Sequence, residues 1–195
     1  LHKCDTTVEA VLGPVLERAS QATITKDLPY WPAQDLLSEF TYPYFYQEKS
    51  SYMKAADITP DAVATMVRLA RGMPGTCMAN SFKFFQVGGK VNATPADATA
   101  YVHRGYDWLF SSEVNWWDRK DPKALVDENL AWQEQFYATV NAATKAAGAF
   151  QNFPDPSLKD WSTAYYGGNY AKLRQVKTAY DRTDLFTYRQ GIKPV

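Results

Sequence analysis

The sequence is poor in the residues from which metal sites and nucleophilic active sites are built. Its 195 residues include two histidines, His2 and His103, and two cysteines, Cys4 and Cys77. None of them has the His-x-x-x-His or Cys-x-x-Cys spacing that holds a metal ion. There is also no Gly-x-Ser-x-Gly motif and no glycine-rich phosphate loop. We therefore expect neither a metal site nor a nucleophilic triad.

An excess of charge and a long apolar run are absent as well. The 21 basic and 21 acidic side chains give a net charge of zero, whereas a nucleic acid or an anionic membrane calls for a basic face. No apolar stretch approaches the roughly 20 residues that span a bilayer. We expect neither partner. The chain starts at Leu1 without an initiator methionine or a signal-peptide pattern, which indicates a processed or trimmed piece.

Aromatic residues are abundant. Six Trp, thirteen Tyr and ten Phe make up 15% of the chain, which predicts a sizeable core and a cavity or interface lined with rings. The even cysteine count and the sequon Asn92-Ala93-Thr94 are compatible with secretion. A chance sequon and two free thiols are the alternative, and the pairing of Cys4 with Cys77 stays open.

The hydrophobic pattern predicts an α+β fold. Helices are predicted from Thr59 to about residue 72, over 122–147 and over 171–180, and strands over 78–87 and 107–117. Strands joined by short connections indicate an antiparallel sheet with helices packed on one face. Less regular stretches give a helix over 7–19 interrupted at Pro14, a strand over 22–25, a turn over 29–32, a helix or loop over 33–40, and a strand after Glu48.

Helical spacing also predicts which helix residues are buried. In the long helix the predicted apolar stripe is Leu125, Trp132, Phe136, Val140, Ala143 and Ala147, interrupted by Asn129. In the helix after Thr59 the predicted buried residues are Val63, Met66, Val67 and Ala70.

Glu113 is the acid with the greatest chemical interest. It lies in the middle of a predicted strand, in an aromatic run, on the face shared with Leu109 and Trp117. If that face is buried, the carboxyl pKa is raised, which suits a general base. If the face is solvated, Glu113 is an ordinary surface residue. The residues by themselves lead to an aromatic-lined α+β domain of undetermined function.

The end of the chain resembles the C-terminal signature of the berberine-bridge-enzyme-like FAD-linked oxidases, of the vanillyl-alcohol-oxidase and p-cresol-methylhydroxylase type. Arg182 departs from it, since the family usually has proline there. The matching motifs are Phe150-x-Asn152-Phe153, Tyr165-Tyr166-Gly167-x-Asn169-Tyr170, Leu173-x-x-Val176-Lys177, and Tyr180-Asp181 with Phe186.

This resemblance implies that the chain is the C-terminal part of such an enzyme. Residues 1–148 would be most of the substrate-binding domain, and residues 149–195 would complete the FAD-binding domain. The resemblance also implies FAD as cofactor, held mostly by an N-terminal polypeptide of the same precursor after proteolytic processing. It implies a secreted heterodimer glycosylated at Asn92, a small-molecule substrate, and O2 as the electron acceptor.

The resemblance further implies roles for individual residues. The cofactor would be contacted by Asn152, Tyr165, Tyr166 and Asn169, and the substrate by Phe84, Gln86, Ser111, Ser112 and Phe150. Sugar-oxidising members have a tyrosine base at the position of Phe150, and a phenyl ring cannot accept a proton. The acidic partner expected on the strand before Gly88 is replaced by Phe85.

Three interpretations of this departure stay open. Another base acts, such as Glu113 or a tyrosine from the missing half. Or the substrate needs little base assistance in an apolar site. Or the protein is a catalytically weak flavoprotein kept for binding or defence. We expect an oxidase that transfers hydride from an alcohol or activated C–H substrate to flavin, with O2 reduced to H2O2. The alternative is the non-catalytic protein.

Overall fold

The computed structural model describes residues 7–21, 23, 25, 27–38 and 43–195, and it divides the chain into two units, 1–42 and 43–195. The first unit contains helix α1 (Val8–Leu16), which Thr7 caps through its hydroxyl, and helix α2 (Tyr30–Leu37). The turn predicted over 29–32 is wrong, because Pro29 is the N-cap of α2 and the next three residues begin the helix. The strand predicted over 22–25 lies partly outside the described residues.

The second unit is an antiparallel sheet with helices on one face, which confirms the predicted α+β class. Three strands in the order β1–β3–β2 form the sheet: β1 (Phe45–Met53), β2 (Ser81–Gln86) and β3 (Trp108–Trp116). Helices α3 (Pro60–Ala70) and α4 (Lys123–Thr144) pack on that face, and α5 (Trp161–Tyr166) and α6 (Tyr170–Tyr180) follow towards the end of the chain. Among the described residues, no helix is long and apolar enough to cross a membrane.

The hydrophobic core lies between the sheet and the helices α3 and α4. We call this side of the sheet the helix face; it carries Met53 of β1, Phe110 of β3 and Phe82 of β2, among others. The ring of Phe136 from α4 stacks on Phe82 at 4.6 Å and on Trp132 at 4.9 Å between centroids. Because these rings come from both layers, the core fixes α4 against the sheet.

The buried side of α4 is more polar than its spacing predicts. Phe136 and Val140 are buried as expected, but Asn129, Gln133 and Thr144 are also fully buried, whereas Ala143 is exposed. Each of the three polar groups has a hydrogen bond; the Gln133 amide, for example, donates to the Ser112 carbonyl at 2.7 Å. Ala147 lies beyond the helix, which ends at Thr144 because Lys145 adopts a left-handed conformation (φ 49°).

Two of the four α3 residues predicted to be buried pack against the core. Met66 and Ala70 pack against the core, while Val63 and Val67 are more than two-fifths exposed.

The C-terminal segment, residues 149–195, is fastened to the sheet at several points. Just before it, the backbone groups of Ala147 and Tyr52 exchange two hydrogen bonds, of 2.9 and 3.1 Å. Within it, the Phe150 amide donates to the Ser50 hydroxyl at 2.9 Å. The Tyr165 carbonyl lies 3.1 Å from Nε2 of His103, a hydrogen bond that requires the proton on Nε2.

Gly148 is the joint between the sheet and this segment. Its φ is +66°, and a Cβ atom there would lie 2.8 Å from two atoms of the His103 ring. Both the backbone conformation and the close approach therefore require glycine.

We expect the fold to lose stability in acid through His103. The ring is buried and stacks on Tyr52 at 4.1 Å between centroids. Burial lowers its pKa from 6.5 to about 4. In the unfolded chain the imidazole becomes protonated near pH 6.5, whereas in the folded protein it stays neutral until about pH 4. The free energy of unfolding therefore decreases as the pH falls through this window, by up to about 3 kcal/mol.

Denaturant unfolding between pH 7.5 and 4.5 measures this loss. His103→Gln should be destabilised at pH 7.5, where it loses the ring stacking, but its stability should depend less steeply on pH below 6.5. Equal acid slopes for the wild type and the variant would contradict the assignment.

Candidate active site

The sheet has a second face, opposite α3 and α4, which we call the site face. Strand register places four rows of side chains on it across β1 and β3, and three of these rows continue onto β2. Glu48 and Glu113 face each other across β1 and β3, and the next row joins Ser50 to Ser111. The face consists of Tyr46, Glu48, Ser50 and Tyr52 from β1, Leu109, Ser111, Glu113 and Asn115 from β3, and Ser81, Lys83 and Phe85 from β2.

A cavity of about 260 Å³ opens on the site face. One wall comes from the C-terminal segment, whose Phe153 ring contacts the rings of Phe85 at 6.0 Å and Phe150 at 5.1 Å between centroids. The cavity therefore has an aromatic side and an acidic side. Its lining residues are Tyr44, Tyr46, Glu48, Glu113, Asn152 and Phe153.

The two carboxylates of the cavity have different environments. Glu113 forms an ion pair with Lys83, with Oε2 and Nζ 2.7 Å apart. Glu48 is 5% exposed and accepts a hydrogen bond from the Ser111 hydroxyl at 2.5 Å. Burial raises the pKa of Glu48; the Ser111 hydroxyl and the Lys83 charge act in the opposite direction, and the charge of Glu113 adds to the increase. The cavity thus holds one neutralised carboxylate and one that binds protons more readily than usual.

The structure divides the residues predicted to contact the substrate between the two faces of the sheet. Ser111 and Phe150 lie on the site face, with Glu113 beside them. Phe84, Gln86 and Ser112 lie on the helix face. Alternation along β2 and β3 sets this division, since neighbouring residues point to opposite sides.

The residues predicted to contact the cofactor are also separated. Asn152 is exposed at the cavity. Asn169 lies elsewhere; its amide donates to the carbonyls of Ala96 at 2.7 Å and Thr99 at 3.0 Å, beside a second cavity of about 200 Å³.

Tyr165 and Tyr166 are engaged inside the C-terminal segment. The Tyr165 ring is buried, and its hydroxyl accepts from the Asp155 amide at 3.0 Å and donates to Gln190 at 3.2 Å. Tyr166 stacks on Tyr170 at 6.0 Å. Of the four predicted residues, only Asn152 lies at the cavity with Glu113.

Asn92 and Cys77, singled out by the sequence, lie away from this cavity. The Asn92 amide donates to the Tyr106 carbonyl at 2.7 Å and its oxygen accepts from the Gly105 amide at 2.9 Å. Cys77 is a free, exposed thiol that donates to Asp121 at 3.0 Å. Cys4 lies outside the described residues, and so does any pairing with it.

Sequence reasoning missed Glu48. Residues 48–53 were predicted as a loop followed by a strand, so no face was assigned to this carboxyl. The strand begins at Phe45, and the alternation of Tyr46, Glu48, Ser50 and Tyr52 was the available signal. This alternation would have placed Glu48 on the face that also carries the Tyr46 ring and the buried side chains of Ser50 and Tyr52.

A flavin, which the sequence resemblance implies, is compatible with the polar groups of Asn152, which lines this cavity, and of its neighbour Gln151. The buried side-chain oxygen of Gln151 has no hydrogen-bond partner in the part of the chain that the structure describes. Beside it, Asn152 presents an exposed amide. An unpaired acceptor next to an amide suits a ligand whose edge carries both N–H and C=O groups, as the flavin ring does. Within the described ranges, no group of acidic, histidine or cysteine side chains could hold a metal ion.

Comparisons with known proteins point to one family. Residues 149–193 match the family model "Berberine and berberine like". The chain is similar to the aclacinomycin-N/aclacinomycin-A oxidase of Streptomyces galilaeus, with 33% identity over 95% of this chain and 37% of that protein. It is also similar to a carbohydrate oxidase of Microdochium nivale, with 34% identity over 58% of this chain and 24% of that protein.

A solved structure shares the fold. The flavoenzyme CrmK, involved in shunt product recycling in caerulomycin biosynthesis, matches 86% of this chain and 37% of its own, with a TM-score of 0.71 and 26% identity. The chain thus spans little more than a third of the length of these relatives at most.

Proposed function

Because the chain matches the C-terminal part of the berberine-bridge-enzyme-like FAD-linked oxidases in sequence and in fold, we propose that it forms the substrate side of such an enzyme. The enzyme transfers hydride from an alcohol or activated C–H substrate to FAD, and O2 is reduced to H2O2. The observation that carries this proposal is the cavity on the site face, which combines aromatic walls with two carboxylates and an exposed amide.

The residues of the cavity have distinct tasks in this reaction. FAD, when bound, supplies the two-electron acceptor. The rings of Tyr44, Tyr46 and Phe153 exclude water and offer apolar surface to the substrate. Asn152 presents an exposed amide group to the edge of a bound ring. Lys83 neutralises Glu113, which limits the negative charge in the cavity.

The remaining parts of the proposal extend beyond the described residues. An FAD-binding polypeptide of the same precursor completes the enzyme, consistent with the longer relatives. We also propose secretion and a glycan at Asn92, for which the sequon and the family resemblance are the support. A glycan there has to coexist with the two hydrogen bonds of the Asn92 side chain.

The test is a flavin spectrum of the protein together with its FAD-binding part. A yellow preparation that is bleached anaerobically by one member of a panel of sugars, alcohols and phenols, and that releases H2O2 in air, supports the oxidase. A flavin that no substrate reduces favours the second candidate, a non-catalytic binding or defence protein. Phe150 is the observation in favour of that candidate, because its ring replaces the proton acceptor of the sugar oxidases.

Phe150→Tyr is expected to increase flavin reduction by a carbohydrate tenfold or more. The phenol would stand next to Phe153, at the position where sugar-oxidising relatives place their base, and general bases accelerate reactions by about 10²–10⁴-fold. Phe153→Tyr is the matched control, since it adds a phenol to the neighbouring ring. Stopped-flow reduction rates decide the matter; no gain on any carbohydrate would show that the natural substrate is of another class.

A further inference from the structure

We propose that Glu48 is the proton acceptor of the reaction, an inference that rests on the oxidase function proposed above. Oxidation of an alcohol breaks two bonds. The hydrogen of the C–H bond leaves with the electron pair of that bond, as hydride, and is accepted by the flavin. The O–H proton passes to the Glu48 carboxylate as the C=O bond forms. Phe150 cannot take that proton, so the cavity has to provide another group.

The position of Glu48 suits this role. It lines the cavity together with Asn152 and Phe153, so a substrate that fills the cavity contacts the carboxylate. The carboxylate is held in place, because β1 is paired along its length with β3 and the Ser111 hydroxyl donates to Oε1. A base that is fixed before the substrate arrives loses little entropy in the transition state.

Among the charged groups around the cavity, Glu48 is the best proton acceptor. On β3 it faces Glu113, and Lys83 of β2, one row further along the sheet beside Ser111, forms an ion pair with Glu113. Tyr46 of its own strand and Tyr44, just before that strand, also line the cavity. The C-terminal segment contributes only the uncharged Asn152 and Phe153 to the lining.

Glu113 is the competing candidate, and its ion pair argues against it. Protonation of Glu113 would remove the negative charge that lies 2.7 Å from the Lys83 ammonium group. Protonation of Glu48 removes a buried charge and reduces its repulsion with Glu113. Of the two carboxylates, Glu48 is therefore the one whose protonation is the more favourable.

The experiment compares Glu48→Gln with the matched control Glu113→Gln in the protein assembled with its FAD-binding part. Glutamine keeps an oxygen that accepts from Ser111 but does not accept a proton at neutral pH. We expect the kcat/KM of the wild type to rise with pH above the usual carboxyl range, and we expect Glu48→Gln to abolish that rise and to lower the rate of flavin reduction by about 10²-fold or more. Glu113→Gln should lower the rate less and keep that rise.

Thermal unfolding gives a readout that does not depend on turnover. A carboxyl with a raised folded-state pKa costs stability once it ionises, so the cost is absent at low pH and grows as pH rises through that pKa. Glu48→Gln should therefore be at least as stable as the wild type at pH 7.5, with a difference that shrinks towards pH 4.5. A purely structural Glu48 would instead make the variant less stable at every pH.

The outcomes separate the two proposals. If the wild type reduces its flavin and Glu48→Gln matches its rate and pH profile, the role of Glu48 is overturned and the oxidase stands. If Glu48→Gln is slow only because it is less stable at every pH, the role is also overturned. If no substrate reduces the wild-type flavin, the oxidase function itself is overturned, and with it the proton transfer.

Discussion

Lys49→Met is expected to lower the free energy of unfolding by about 3–5 kcal/mol and to loosen the C-terminal segment. The ammonium group of Lys49 is 2% exposed, and it lies 2.7 Å from both Asp155 and Glu134. It also donates to the Ser157 hydroxyl at 2.6 Å. Removing the cation leaves the Asp155 carboxylate, with 7% of its side chain exposed, without its counter-charge.

A denaturant titration of Lys49→Met measures this loss. Adding Asp155→Asn to the variant should recover part of the stability, because the second change removes the unpaired buried charge. The control is Lys123→Met, which breaks an ion pair with Asp127 whose lysine is 85% exposed; exposed pairs of this kind contribute about 0.3–0.5 kcal/mol. Similar losses for Lys49→Met and Lys123→Met would mean that the buried pair does not hold the segment.

Phe136→Ala is the second large effect, with an expected loss of about 3–5 kcal/mol. The ring is 2% exposed and lies between Phe82, Phe110 and Trp132. Since these neighbours belong to the sheet and to α4 itself, they cannot collapse into the space without moving backbone. The variant therefore loses both the burial of the ring and the contacts across the cavity it leaves.

Phe84→Ala is the matched control for this substitution. Phe84 is the same residue type on the same helix face, but it is 44% exposed. Its removal should cost much less than that of Phe136, because water already reaches part of the ring. Chemical denaturation of both variants tests the comparison, and equal costs would show that the core does not extend between α4 and the sheet as described.

The elements of the second unit were predictable because their patterns are strong. Thr59 and Pro60 marked the start of α3, and the alternation of Phe82 and Phe84 with Lys83 and Phe85 gave the faces of β2. The buried side of α4 was only partly predictable. Spacing finds apolar residues, whereas Asn129 and Gln133 are buried because carbonyls from distant segments accept their amide protons.

The candidate site was less predictable than the fold, because it depends on strand register. Glu113 could be identified from β3 alone, but its partner Lys83 and the facing Glu48 come from strands 30 and 65 residues away in the chain. Sequence gave no means to pair these strands residue by residue. For the same reason the motifs around Asn152 and Asn169 could be recognised as a group, although the structure places them at different cavities.

The way the C-terminal segment is fastened limits how this region can be exchanged between relatives. The family match begins at residue 149, yet the segment depends on Lys49 and Ser50 of β1 and on His103 for its hydrogen bonds and its buried counter-charge. A chimera that joins residues 149–193 to the sheet of another family member would separate these partners. Successful grafts should therefore carry Lys49, Ser50, His103 and Gly148 along with the segment. The set of residues that must be transferred together is thus larger than the matched domain.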